Sequence, residues 1–239
     1  MNALLKAELL KLRTTRTFAV VVGVSALFSM ALAVLGATFQ KDLTAHELFT
    51  NNAITYVIAL LGVIGMTGEW RHRTITSTIL AAPNRVRMLS AKVVASSAAG
   101  VVLVFCVTAV TMIAGTIALK AAGHPTLGPG GLADVMWSNL AVAVVLGPFG
   151  VAIGALGRNQ IATVIGVIAV ASFLEPQLFA ASHVAGRFGP LSEAPTSILG
   201  GGGTTDGMLA TAPALAVMVA WAAAAFGAAA IRLRNRDLV

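Results

Sequence analysis

The apolar residues of this 239-residue chain are gathered into blocks near the length, roughly 20 residues, that a helix needs to cross hydrocarbon. Only α-helices and closed β-barrels satisfy their backbone polar groups in lipid. The blocks are solid apolar runs rather than alternating ones, which excludes a barrel. Composition agrees. Mean hydropathy is +0.88, and only 10% of the residues are charged, where a soluble domain carries about a quarter. The sequence therefore predicts an all-α polytopic membrane protein, residues 1–239 forming a single transmembrane domain.

Six spans are expected, at 18–39, 48–67, 93–119, 135–156, 161–183 and 213–231. The first is too long for a signal-peptide core and reads as a retained span. The second contains Asn51 and Asn52, whose side chains need partners or water. The third would rise about 40 Å, so it must tilt or protrude. The fourth is interrupted by Gly147-Pro148, a possible gate or kink. In the fifth, Glu175-Pro176 should break the helix and leave a re-entrant piece. Residues 120–134, with Gly128-Pro129-Gly130-Gly131, read as a loop, and residues 184–212 as an exposed Gly-rich loop.

Residues 1–17 carry Leu5, Leu9 and Leu12 at helical spacing among Lys6, Lys11, Arg13 and Arg16, the pattern of an amphipathic interfacial helix. With six spans both termini lie on one side. The segments on that side hold 13 of the 16 Lys and Arg residues; the other side holds Lys41, Lys120 and Arg187. Six of nine acidic residues lie on the other side. The Lys/Arg bias predicts cytoplasmic termini in the plasma membrane. It also accounts for the net charge of +7, which sits at the edges of apolar blocks and makes nucleic acid a poor partner.

Clearly mid-span positions carry no ionisable residue, which argues against a proton relay or a buried catalytic carboxylate. The four histidines have no metal-ligand spacing, and no nucleophile–base set can be assembled. The single cysteine, Cys106, cannot form an internal disulfide. No Gly-x-x-x-x-Gly-Lys-Ser/Thr phosphate loop occurs. Gly150-x-x-x-Gly154, with Gly62 and Gly65, would allow close helix packing, within the chain or at a dimer seam.

The most informative stretch is 68–92. Ile75 and Ile79 stand four apart, Thr74 and Thr78 beside them, and Pro83 stops the run, which reads as a two-turn helix outside the bilayer suited to a partner's groove. A basic connecting loop is the plainer reading. Gly68-Glu69-Trp70-Arg71-His72, then Thr74-Ile75 and Thr78, then Pro83-x-Arg85 and Ala91-Lys92, resembles actinobacterial permeases of the ABC-2 transporter family. Glu8-x-x-Lys11-Leu12-Arg13-Thr14-Thr15-Arg16 and the Arg/Asp-rich tail are similar to the same permeases; Arg73 departs from them, where a glycine is usual.

The resemblance implies the membrane half of an ABC exporter, paired with a second copy or a sister permease. It implies separate ATP-binding subunits that hold the ATP and Mg, this chain needing no cofactor of its own. Residues 1–17 would be a connecting helix. Glu69, Arg71, His72, Arg73, Thr74, Ile75, Thr78, Ile79, Pro83 and Arg85 would belong to a coupling helix between spans 2 and 3. Glu69 would order that segment through Arg71 and Arg73. The role is mechanical, not enzymatic. The alternatives are an ion-driven secondary transporter, a membrane anchor for a cytoplasmic partner, and a membrane-embedded enzyme, the last disfavoured by the lack of an intramembrane polar cluster. A transporter of the inverted-repeat kind would show internal repeats, and none is visible.

Overall fold

The computed structural model describes residues 2–14, 16–39, 44–50, 54–72, 84–157, 159–200 and 207–234. Among them there are helices and turns and no strands. The order is α1 (Asn2–Thr14), α2 (Arg16–Phe39), α3 (Ala45–Thr50), α4 (Ile54–Arg71), α5 (Arg85–Ala121) and α6 (Pro129–Leu156). There follow α7 (Gln160–Ala169), a π-helical turn (Val170–Leu174), α8 (Glu175–Ala181), α9 (His183–Gly186), α10 (Glu193–Leu199) and α11 (Thr211–Arg234). Six helical segments are long and apolar enough to cross a membrane: α2, α3 with α4, α5, α6, α7 through α8, and α11. This is a multi-pass helical membrane protein.

The third spanning helix starts earlier than expected. α5 begins at Arg85, so Arg85, Arg87 and Lys92 stand on its first turns rather than in a connecting loop. Asn84 explains the early start: its side chain accepts from the Arg87 backbone N–H, a helix N-cap. The 37 residues rise about 55 Å, well beyond the roughly 30 Å hydrocarbon core. α6 also begins early. Gly128-Pro129 caps and starts it, because a proline at the first helical positions gives up an N–H that would be unpaired anyway. The turn before it closes at Gly123, with φ of +76°.

α6 is the central helix, packed against α4, α5 and α11. Glycines let it approach. A Cβ on Gly150 would run into the Ala59 carbonyl, and one on Gly62 into the backbone at Gly147. At Gly154 the same added carbon would sit 2.8 Å from the Val63 oxygen. Gly65 has open space instead.

The expected interruption at Gly147-Pro148 does not occur, since α6 runs through it. Pro148 cannot donate to the Val144 carbonyl one turn back; the Ser97 hydroxyl on α5 donates to that oxygen instead, at 3.2 Å. Nor does the chain break at Glu175-Pro176. The π turn widens the helix just ahead, with the Glu175 N–H reaching the Val170 carbonyl, and Pro176 falls in the first turn of α8. Within the expected loop 184–212, residues 191–199 do not form an exposed loop: Leu191, Ser192, Glu193, Ala194, Ile198 and Leu199 are buried, most of them on α10, while residues 201–206 lie outside the described residues.

The apolar core has three parts. One gathers Met66, Met88, Leu89, Val151, Ala229 and Leu233, with Leu4 of α1 against them. The largest holds Ile58, Leu103, Leu146, Phe149, Ile198 and Met218. The third holds Ala33, Phe49, Met112, Leu119 and Val135.

Candidate functional site

One end of the bundle carries the ion pairs between helices found among the described residues. The Glu69 carboxylate, at the end of α4, is 3% exposed. Its Oε1 accepts from Lys92 Nζ of α5 at 2.5 Å and from Lys11 Nζ of α1 at 2.7 Å. Lys92, 5% exposed, also donates to Glu8 of α1 at 2.9 Å. Two carboxylates and two ammonium groups thus alternate, Lys11–Glu69–Lys92–Glu8, with no net charge. A buried charge is tolerated only when paired and hydrogen-bonded, and here each has a partner of opposite sign on another helix. Glu69 Oε2 is buried and accepts no hydrogen bond among the described residues, so the pairing seen there runs through one oxygen.

This arrangement sets the roll of α1. Leu4, Glu8 and Lys11 occupy one face by their i, i+4, i+7 spacing, and they are the residues that meet α4 and α5. Leu9 and Leu10 point outward, 39% and 60% exposed. The Lys11 pKa is raised: burial would lower it, but the hydrogen bond to Glu69 and the charges of Glu69 and Glu8 outweigh that.

Further bonds tie the same end. Arg71 reaches Gln160 at the start of α7, at 3.4 Å. Arg85 donates to the Leu233 carbonyl on the last turn of α11 at 2.6 Å, and Arg232 to the Leu156 carbonyl that ends α6, also at 2.6 Å. Cationic groups at helix C-termini satisfy carbonyls that have no partner within the helix. The ends of α4, α6 and α11 and the starts of α5 and α7 therefore meet at one level, beside α1, as alternating passage through a bilayer requires.

Glu69, Arg71, His72 and Arg85 of the expected coupling segment flank this cluster; Arg73, Thr74, Ile75, Thr78, Ile79 and Pro83 lie outside the described residues. The expectation that Glu69 pairs with Arg71 is corrected: its ammonium partners are Lys11 and Lys92, and Arg71 points to Gln160. The buried carboxylate pairs with the buried Lys92 and with Lys11 on the helix packed over it, whereas an exposed pair gains little. Glu8, Lys11 and Lys92 were not expected to meet. The opposite charges of Glu8 and Lys11 three residues apart on α1 were the available sign.

A second buried carboxylate, Glu175, stands inside the fifth spanning helix. Its oxygens accept from the backbone N–H groups of Leu191 and Ser192 at 2.7–3.1 Å and from the Ser192 hydroxyl at 2.9 Å. Glu175 thereby holds the start of α10 against α8. Glu175, expected at a break in this span, instead stands in a continuous helix, its charge met by donors from a segment folded back along it.

Among the described residues no group of three His, Cys, Asp or Glu side chains could hold a metal ion. The chain matches no protein-family model and no curated protein sequence.

Proposed function

We propose that the chain is the membrane-spanning permease subunit of an ABC-2 type exporter, working as a pair with a second copy or sister chain and driven by a separate ATP-binding subunit. One observation carries the reading. Residues 73–83 connect α4 to α5, and the two helices are joined where they flank that connection by the buried Glu69–Lys92 pair, with α1 clasped over it through Lys11 and Glu8. A force applied at the connection is delivered to both spanning helices at once. Arg71, Arg85 and Arg232 extend the linkage to α7, α11 and α6. The motif at 68–92 supports the same reading, as does the lack of any phosphate loop in the sequence.

In this mechanism the segment from Glu69 to Arg85 docks on the ATPase and the rigid end of the bundle transmits its movement to the pathway. The cargo fits the apolar class, since the described spans offer no ion relay: Glu69 and Glu175 are both engaged by donors. That engagement also disfavours an ion-driven carrier.

The test is purification of tagged chain from its own membranes in mild detergent. A stoichiometric ATP-binding subunit should accompany it, and Arg71→Glu or Thr78→Pro should abolish ATP-driven export while leaving insertion intact. Coupled export that is unchanged in both variants, or a chain that purifies alone in several detergents, refutes the proposal.

A further inference from the structure

An apolar cavity of about 520 Å³ lies between α6, α7, the π turn, the segment after α9, and α11. Its walls include Ile153, Gly166, Val170, Leu178, Phe188 and Trp221. It opens sideways: Leu178, Phe188 and Trp221 are each more than 40% exposed. That opening is continuous with the apolar outer surface of α7 and the π turn, where Ile165 and Phe173 are 60% and 69% exposed, a surface that faces hydrocarbon in a protein of this class. The Trp221 indole N–H donates to the Phe188 carbonyl at 3.0 Å, which fixes one wall. A void of this size lined mostly by apolar groups, its one acid already engaged by Leu191 and Ser192, forfeits contacts along its apolar walls when empty. In a bilayer the material at hand to fill it is an acyl chain.

The rim supplies the other half of a ligand. Arg187, beside the cavity-lining Gly186 and Phe188, is the only Lys or Arg between Arg158 and Arg232. Its guanidinium lies 5.0 Å from the Phe188 ring centroid. Its Nε is buried without a hydrogen-bond partner, and no carboxylate among the described residues forms an ion pair with it. The nearby acid in the wall, Glu175, is taken up by Leu191 and Ser192. The levels also fit. Gly186 packs on the backbone of Phe179, 19 residues along from Gln160, so Arg187 stands about 28 Å from the α1 end of the bundle, near the opposite edge of the hydrocarbon. The cavity runs from there back toward Thr163.

We infer that this cavity and Arg187 form a site for one anionic bilayer lipid, an acyl chain between α7 and α11 and the headgroup on the guanidinium. The inference is independent of the transport reading; a chain with no ATPase partner would bind the lipid equally.

Trp221 reports on the site once Trp70 and Trp137 are changed to Phe. This variant is placed in phosphatidylcholine vesicles containing either brominated phosphatidylglycerol or brominated phosphatidylcholine, and quenching of Trp221 is followed against mole fraction. The anionic lipid should half-quench at about fivefold lower mole fraction, the ratio one lipid–cation contact supports. Arg187→Gln should erase that preference and Arg187→Lys retain most of it. Gly166→Phe should reduce quenching by both lipids, because Gly166 lines the cavity and an added Cβ there meets nothing within 4 Å, so a larger side chain is expected to enter it. Helix content by circular dichroism confirms that each variant is folded, and the Arg187 variants give the result independently should Gly166→Phe lose helix. Equal quenching by the two lipids, or a preference that survives Arg187→Gln, overturns the inference.

Discussion

Glu69 and Lys92 are each nearly inaccessible, yet each is bonded to a residue of α1 as well as to the other. Removing one member strands a buried charge, whereas removing both leaves a space that apolar side chains fill. Glu69→Gln is therefore expected to lower stability by about 3–5 kcal/mol, and the pair Glu69→Met with Lys92→Met to recover most of that. Denaturant unfolding in micelles measures both. Glu193 gives a pH dependence of definite sign. Burial and the neighbouring Glu175 charge push its pKa up, against the lowering effect of the Ser192 hydroxyl. A carboxyl whose pKa is higher folded than unfolded favours folding most below its unfolded value and less as pH rises through its folded value. Amide exchange in α10, corrected for intrinsic rates, should be slower near pH 4.5 than at pH 8, and Glu193→Gln should remove the difference.

At the scale of elements, the contact between α4 and α6 is set by missing side chains. A Cβ at Gly150 collides with the Ala59 backbone, which cannot swing aside as a side-chain tip could. Gly150→Ala should cost about 1–3 kcal/mol through overpacking, while Gly65→Ala, in open space, should stay within about 0.5 kcal/mol. Thermal unfolding in detergent separates them. α6 also shows how a proline is carried inside a spanning helix, because Ser97 of α5 serves the carbonyl that Pro148 leaves unpaired. In α8 the π turn performs the equivalent adjustment for Pro176.

For the whole molecule, six spanning segments and one cluster of helix ends fix an alternating path through the bilayer, with α1 and the end of α11 together. The Lys/Arg distribution leads us to propose that this end faces the cytoplasm. With Cys106 changed to Ser, single cysteines introduced at Lys6 and at His124 should react with an impermeant maleimide from opposite faces of the membrane, Lys6 from the cytoplasmic face. Reaction of both from the same face would contradict the alternation.

The number and approximate extent of the spans were determined by sequence alone, because apolar length is a local property that water and lipid read directly. So was the concentration of Lys and Arg on one side. The structure decided what depends on neighbours. Pro148 and Pro176 look like breaks until Ser97 and the π turn are in place, and Gly128-Pro129 looks like a loop until it is seen to start a helix. Residues 191–199 read as exposed until Glu175 draws their backbone inward. Glu8, Lys11, Glu69 and Lys92 are ordinary flanking charges in one dimension. Only the packing of α1 across α4 and α5 makes them a cluster, because the buried Glu69 and Lys92 need partners of opposite charge and α1 brings Lys11 and Glu8 to them.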